Sequence, residues 1–305
     1  MSPLAPHNRL DTRRAAASAV GGYLIWGLSP LFYKLLDFTS AGEILLHRAV
    51  WSMPVLLALV LAARRWNAAL TVLADRRSIA ILILTSALIG TNWWLFVYAV
   101  NTDRVLEISL GYFINPLMNV AVGVLILGER FGRLRAMAIG LAALGVMNQI
   151  ITVGSLPVIA LVLAATFCAY GYLRKIITID GRIGLFWETA IIAAPCLIMI
   201  GVIETGPGGS FTQSWTSMAL LLATGPMTVA PLLLFILGAR GLPLAVIGTL
   251  QFIAPTLQFA IGVATGEPFS WAHGLTFTLI WGGLAVFVID LIVSERRKSD
   301  PRPTT

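Results

Sequence analysis

Long apolar runs separated by short charged stretches set the pattern of this chain, and ten such runs stand out. They cover residues 15–36, 43–63, 78–100, 105–127, 133–153, 155–173, 183–203, 215–237, 244–265 and 271–293. Each is about 20 residues long, the length at which a helix rising ~1.5 Å per residue crosses roughly 30 Å of hydrocarbon. None alternates polar and apolar positions for long, and each is about twice the length of a membrane strand, so the pattern predicts helices and not a barrel. The expected fold is all-α: a polytopic membrane protein of ten transmembrane helices, with residues 1–14 and 294–305 as tails.

Composition narrows the picture further. The 305 residues are 58% hydrophobic and 11% charged, with a mean hydropathy of +0.87, too little polar surface for a soluble domain of this size. The net charge of +7 does not point to nucleic acid, because the cations sit in small clusters between apolar runs and act as topology signals. Eighteen of the 21 fall on one side: Arg9, Arg13, Arg14, Arg64, Arg65, Arg76, Arg77, Arg130, Arg133, Arg135, Arg174, Lys175, Arg182, Arg240, Arg296, Arg297, Lys298 and Arg302. Only Lys34, Arg48 and Arg104 fall on the other. This bias predicts two cytoplasmic termini and an even number of spans, in a chain expected to lie in a bacterial-type cytoplasmic membrane. A continuous helix through 133–173, where Gly154, Ser155 and Pro157 form a very short turn, would send the later clusters to the wrong side. Cys168 and Cys196 both lie in apolar runs, so no disulfide framework is expected. The first run lacks a small-residue cleavage site and reads as a retained span.

The chain also repeats itself. ISLGYFINPLMNVAVGVLILGERF (108–131) aligns with IGTLQFIAPTLQFAIGVATGEPF (247–269), setting Phe113, Ile114, Pro116 and Gly123 on Phe252, Ile253, Pro255 and Gly262. Upstream, Phe96 falls on Phe235, Pro54 on Pro195 and Lys34 on Lys175. The predicted domains are a first repeat over 15–153 and a second over 155–293, five spans each. Five is odd, so the second copy crosses the membrane inverted, an architecture suited to two states, each open to one face.

The segments GYLIWGLSPLFYKLL, EILLHRAVWS, TNWWLFVYAVN, LEISLGYFINPL and IGTLQFIAPTLQF resemble the drug/metabolite transporter superfamily, within it the EamA family and its RarD-type permeases. The resemblance spans 15–293 and departs at Thr102-Asp103-Arg104, where a less charged turn is expected. It implies a secondary permease exporting a small metabolite, amino-acid-like compound or drug.

Polar groups within spans are costly unless satisfied, so those present are candidates to line a cavity. Tyr112, Asn115 and Asn119 share a helical stripe with Pro116 and Gly123; Gln251 and Gln258 repeat it with Pro255 and Gly262. Trp26, Asn92, Trp93, Phe96, Tyr170 and Trp187 could add aromatic and amide walls. Together these predict a midplane, hydrogen-bonding substrate cavity between the repeats; the plainer reading is interhelical glue and interfacial anchoring. Glu43 and His47 lie one turn apart, and Glu188 occupies the position matching His47, which suggests a proton path. Under the plainer reading Glu43 caps a helix while His47 and Arg48 stay wet at the interface. Glu107 projects away from the Tyr112 stripe and fits either the resembling motif or a helix start, and Glu129 and Glu267 read as starting caps for spans five and ten. Prolines inside apolar runs, Pro116 and Pro255 foremost, are candidate hinges.

No GxxxxGK[ST] loop occurs, so ATP hydrolysis is not expected, and neither HExxH nor a cluster of the three histidines His7, His47 and His273 suggests a metal. No cofactor is expected, nor a nucleic acid partner. The expected partners are a small-molecule substrate, the lipid bilayer and protons. A facilitative permease or pore without ion coupling is the alternative, and a membrane-embedded enzyme is the weaker competitor, since the intramembrane acids are too dispersed for a catalytic pair.

Overall fold

In the computed structural model, residues 9–127, 132–154, 156–177, 179–206, 208–242, 246–247 and 250–299 are described. Among them there is no strand, and the chain is helical nearly throughout. The helices are α1 (Arg9–Lys34), α2 (Ala41–Ala62), α3 (Trp66–Val72), α4 (Arg76–Asn101), α5 (Val105–Leu127), α6 (Arg133–Asn148), α7 (Val158–Ile176), α8 (Gly181–Glu204), α9 (Trp215–Gly241), α10 (Ile253–Ala264) and α11 (Trp271–Ser299). Six helical segments among the described residues are long and apolar enough to cross a membrane: Arg13–Lys34, Ala41–Ala62, Arg76–Asn101, Gly181–Glu204, Trp215–Gly238 and Trp271–Asp290.

Local chemistry explains the ends. Ser40 caps α2, accepting from the Glu43 N–H at 3.2 Å. Asp75 caps α4, accepting from the N–H groups of Arg77 and Ser78 at 3.1 Å each. The Ser78 hydroxyl donates to the same carboxylate, and that bond leads in holding Asp75 below the usual carboxylate range. After α6 the chain loosens into one π-helical turn, Gln149–Val153, and breaks at Gly154, whose φ of 73° is left-handed. The expected turn therefore occurs, although Ser155 lies outside the described residues.

Two features depart from expectation. The seven-residue helix α3 stands where only a basic connection was predicted. In the ninth apolar run α10 begins at Ile253, and Gln251 and Phe252 form a turn before it. Pro255 consequently sits in a first helical turn, where its missing N–H has no intrahelical bond to break. It thus stands beside a break in the run, whereas Pro116 lies well inside α5.

The described chain divides into two compact units. One comprises Met1–Leu28, Val105–Ala164 and Leu233–Thr305; the other comprises Ser29–Arg104 and Ala165–Leu232. In the first, α6 packs along α11 and α5 along α10. Its core gathers Leu106, Leu110, Phe113, Ile114, Ala160, Phe277 and Ile280. Gly111 lets the backbone of Ala160 approach, since a Cβ there would lie 2.8 Å from the Ala160 carbonyl oxygen. In the second, α2 packs along α8, and α4 touches both.

Candidate functional site

Most of the buried ionisable groups lie in the second unit. At the start of α2, His47 is 1% exposed, far from the wet environment that the plainer reading gave it. The Trp51 indole N–H, one turn on, donates to its Nδ1 at 3.0 Å. The ring also stacks on Phe211, with centroids 5.0 Å apart and planes 17° apart. Neutral imidazole accepting at Nδ1 carries its proton on Nε2. Among the described residues Nε2 has no hydrogen-bond partner.

Glu43, His47 and Glu204 each bring one potential ligand atom within 4.8 Å of the others. Both carboxylates are occupied. Glu43 accepts from the Ser210 N–H at 2.8 Å and the Thr39 hydroxyl at 2.7 Å, and Glu204 accepts from the Phe211 N–H at 2.9 Å and the Thr212 hydroxyl at 3.0 Å. A cation held here would have to displace the Nε2 proton or the Trp51 bond. Glu43 lies in the first turn of α2, and its carboxylate also pins the loop after α8. Glu204 escaped sequence reasoning because a lone acid ending an apolar run looks like ordinary punctuation.

Arg48 is the second departure. It is only 8% exposed. Its Nε–H donates to the Thr228 hydroxyl at 2.8 Å, and that hydroxyl in turn donates to the Thr224 carbonyl at 2.8 Å. The guanidinium carbon lies 4.6 Å from the centre of the Trp93 ring and 5.5 Å from that of Tyr33. Its Nη1 has no partner among the described residues. Cation–π contact contributes about 2 kcal/mol when desolvated, less than the several kcal/mol that burying a charge costs.

A third cluster surrounds Glu188 on α8, which is fully buried. The Tyr170 hydroxyl donates to it at 3.0 Å, and Arg174 Nη1 lies 3.6 Å from its other oxygen. Gly184, one turn before Glu188, makes this possible: a Cβ there would fall on the Arg174 guanidinium. Tyr170 therefore serves the carboxylate, and Arg174, counted in the sequence as a topology signal, is part of the cluster. In the same unit Asn92 is buried and donates to the Thr166 hydroxyl at 3.0 Å, Phe96 packs on Tyr33, and Trp187 donates to the Ala69 carbonyl at 2.9 Å.

The amide candidates belong to the first unit. Gln258 is 1% exposed and donates to the Trp26 carbonyl at 3.3 Å; its Oε1 has no partner among the described residues. Asn115 is buried with its Oδ1 in the same condition. Tyr112 is half-buried and Asn119 exposed. Gln251 lies in the turn before α10. Glu107 lies in the first turn of α5, within electrostatic reach of His273. Glu267 does not start the following helix; it accepts from the N–H groups of Val105 and Leu106 at 2.7 and 2.8 Å and so caps α5. Glu129 lies outside the described residues.

The EamA-like transporter family matches residues 13–151. The Escherichia coli (strain K12) protein RarD is 41% identical over 95% of this chain and 98% of its own length. An uncharacterized transporter of Vibrio cholerae is 39% identical over 92% and 93%. A solved crystal structure superposes with a TM-score of 0.56 over 89% of this chain and 96% of that one at 16% identity, which speaks to the fold alone. The family and the names of these relatives point to transporters rather than enzymes, and together with the apolar helices they make this a multi-pass membrane protein whose partners are the bilayer and a small-molecule substrate. The chain belongs to the EamA-like transporter family, among its RarD-type members.

Proposed function

We propose that the protein is a secondary permease that exports a small metabolite, amino-acid-like compound or drug by alternating access, driven by protons. Ten spans in two inverted five-helix repeats, both termini in the cytoplasm, supply the two access states. The observation that carries this reading is the pair His47 and Glu188. They are almost completely buried, lie in helices of membrane-spanning length and occupy positions 141 residues apart that match between the halves. Charges and titratable groups at such depth are expensive, and proton relays are a common reason for keeping them. Asn115 and Gln258, each with an amide oxygen left open, are the proposed contacts for a polar substrate.

Proteoliposomes provide the test, using a substrate found by thermal stabilisation of the purified protein. His47→Ala and Glu188→Gln should each abolish flux driven by a pH gradient while counterflow at equal pH persists. Unchanged dependence on the gradient in both variants would remove the proton relay. The uncoupled, facilitative reading draws on one observation, that Glu43 is fully engaged by Thr39 and Ser210; it expects wild-type flux to ignore the gradient.

A further inference from the structure

Two largely buried cations of the second unit, Arg174 and Arg48, differ in one respect. Arg174 has a carboxylate beside it, Glu188. Among the described residues Arg48 has none within salt-bridge distance, though it is the more deeply buried of the two. Its Nε–H is spent on Thr228, whose hydroxyl is fixed by the Thr224 carbonyl. Trp93 and Tyr33 cover the guanidinium, and Gly225 holds α9 against α2: a Cβ there would collide with the Trp51 carbonyl, one turn from Arg48. What remains is the outer part of the guanidinium fork, with Nη1 unpartnered.

We propose that Arg48 binds the anionic group of the transported molecule, and that this group is a carboxylate. The proposal rests on the transporter reading above and deepens it by naming a substrate class, small organic acids and amino-acid-like anions. A guanidinium keeps its charge and presents paired N–H groups at a spacing that fits a carboxylate. Substrate binding neutralises the buried charge, so the empty protein carries an electrostatic cost that the bound one does not. A single cation matches a monoanion. Lys34, next in sequence to Tyr33, is already paired with Asp103 at 2.7 Å and adds no second charge for a phosphate dianion.

The experiment measures melting temperatures of the purified full-length protein with phenylacetate, 3-hydroxybutyrate and N-acetylalanine, each beside its neutral amide. In the wild type at least one carboxylate should raise the melting temperature by several degrees while its amide does not. Arg48→Gln should abolish that shift yet melt, without ligand, no lower than the wild type. Arg48→Lys, with the charge but not the fork, should weaken binding at least tenfold. An amide as effective as its acid, a shift that survives in Arg48→Gln, or no shift with any carboxylate would overturn the assignment. The two readings separate cleanly: carboxylate binding through Arg48 without flux in proteoliposomes removes transport and keeps the anion site, whereas flux of a molecule indifferent to Arg48→Gln does the reverse.

Discussion

Trp51 donates its indole N–H to Nδ1 of His47 at 3.0 Å, one turn along the same helix. That bond decides which imidazole nitrogen holds the proton, and a doubly protonated ring could not accept it. Charging His47 must therefore release Trp51, which links a proton to an aromatic side chain packed on Phe211.

Trp51→Phe keeps a flat apolar ring and removes the donor. The expected result is loss of the fixed tautomer, seen as mixed Nδ1–H and Nε2–H signals in nitrogen NMR of the imidazole. Stability should fall by about 1 kcal/mol, the usual net worth of one hydrogen bond. A single unchanged tautomer would show that Trp51 does not set it.

Glu267 bonds the first two N–H groups of α5 from 161 residues away, placing a carboxylate at the positive end of that helix. Glu267→Ala leaves both donors buried and should cost about 2 to 4 kcal/mol in thermal unfolding. Glu267→Gln retains one acceptor and should cost about half as much. Equal losses in the two variants would mean that packing, not acceptance, is what matters there.

Gly184 leaves room for Arg174 beside Glu188. Gly184→Ala should push the guanidinium away and destabilise by about 1 to 3 kcal/mol. In a Glu188→Gln background, where no full charge needs the guanidinium, the same substitution should cost less, with a coupling of about 1 kcal/mol. Additive losses would contradict the pairing.

These sites were legible in the sequence to different degrees. The helices could be read because about 20 apolar residues in a row have few other uses. Periodicity says which residues share a helix face but not what lies opposite. Arg48 read as wet because its run had just begun; α9 covers it with Thr228, 180 residues further on. Glu267 read as a local cap because sequence order hides the distant helix whose N–H groups it serves. Helix α3 fell below the length at which an apolar run becomes visible. The turn at Gln251 and Phe252 before α10 is a break that periodicity alone does not announce.

The central claim is the inversion of the two halves, and cysteine labelling tests it most directly. Ala74 and Gln213 are exposed, lie just before the starts of α4 and α9, and stand at matching positions 139 residues apart. With five crossings between them, Gln213→Cys in intact cells should react with a membrane-impermeant maleimide, and Ala74→Cys only after permeabilisation. Labelling of both residues from the same side would contradict the account.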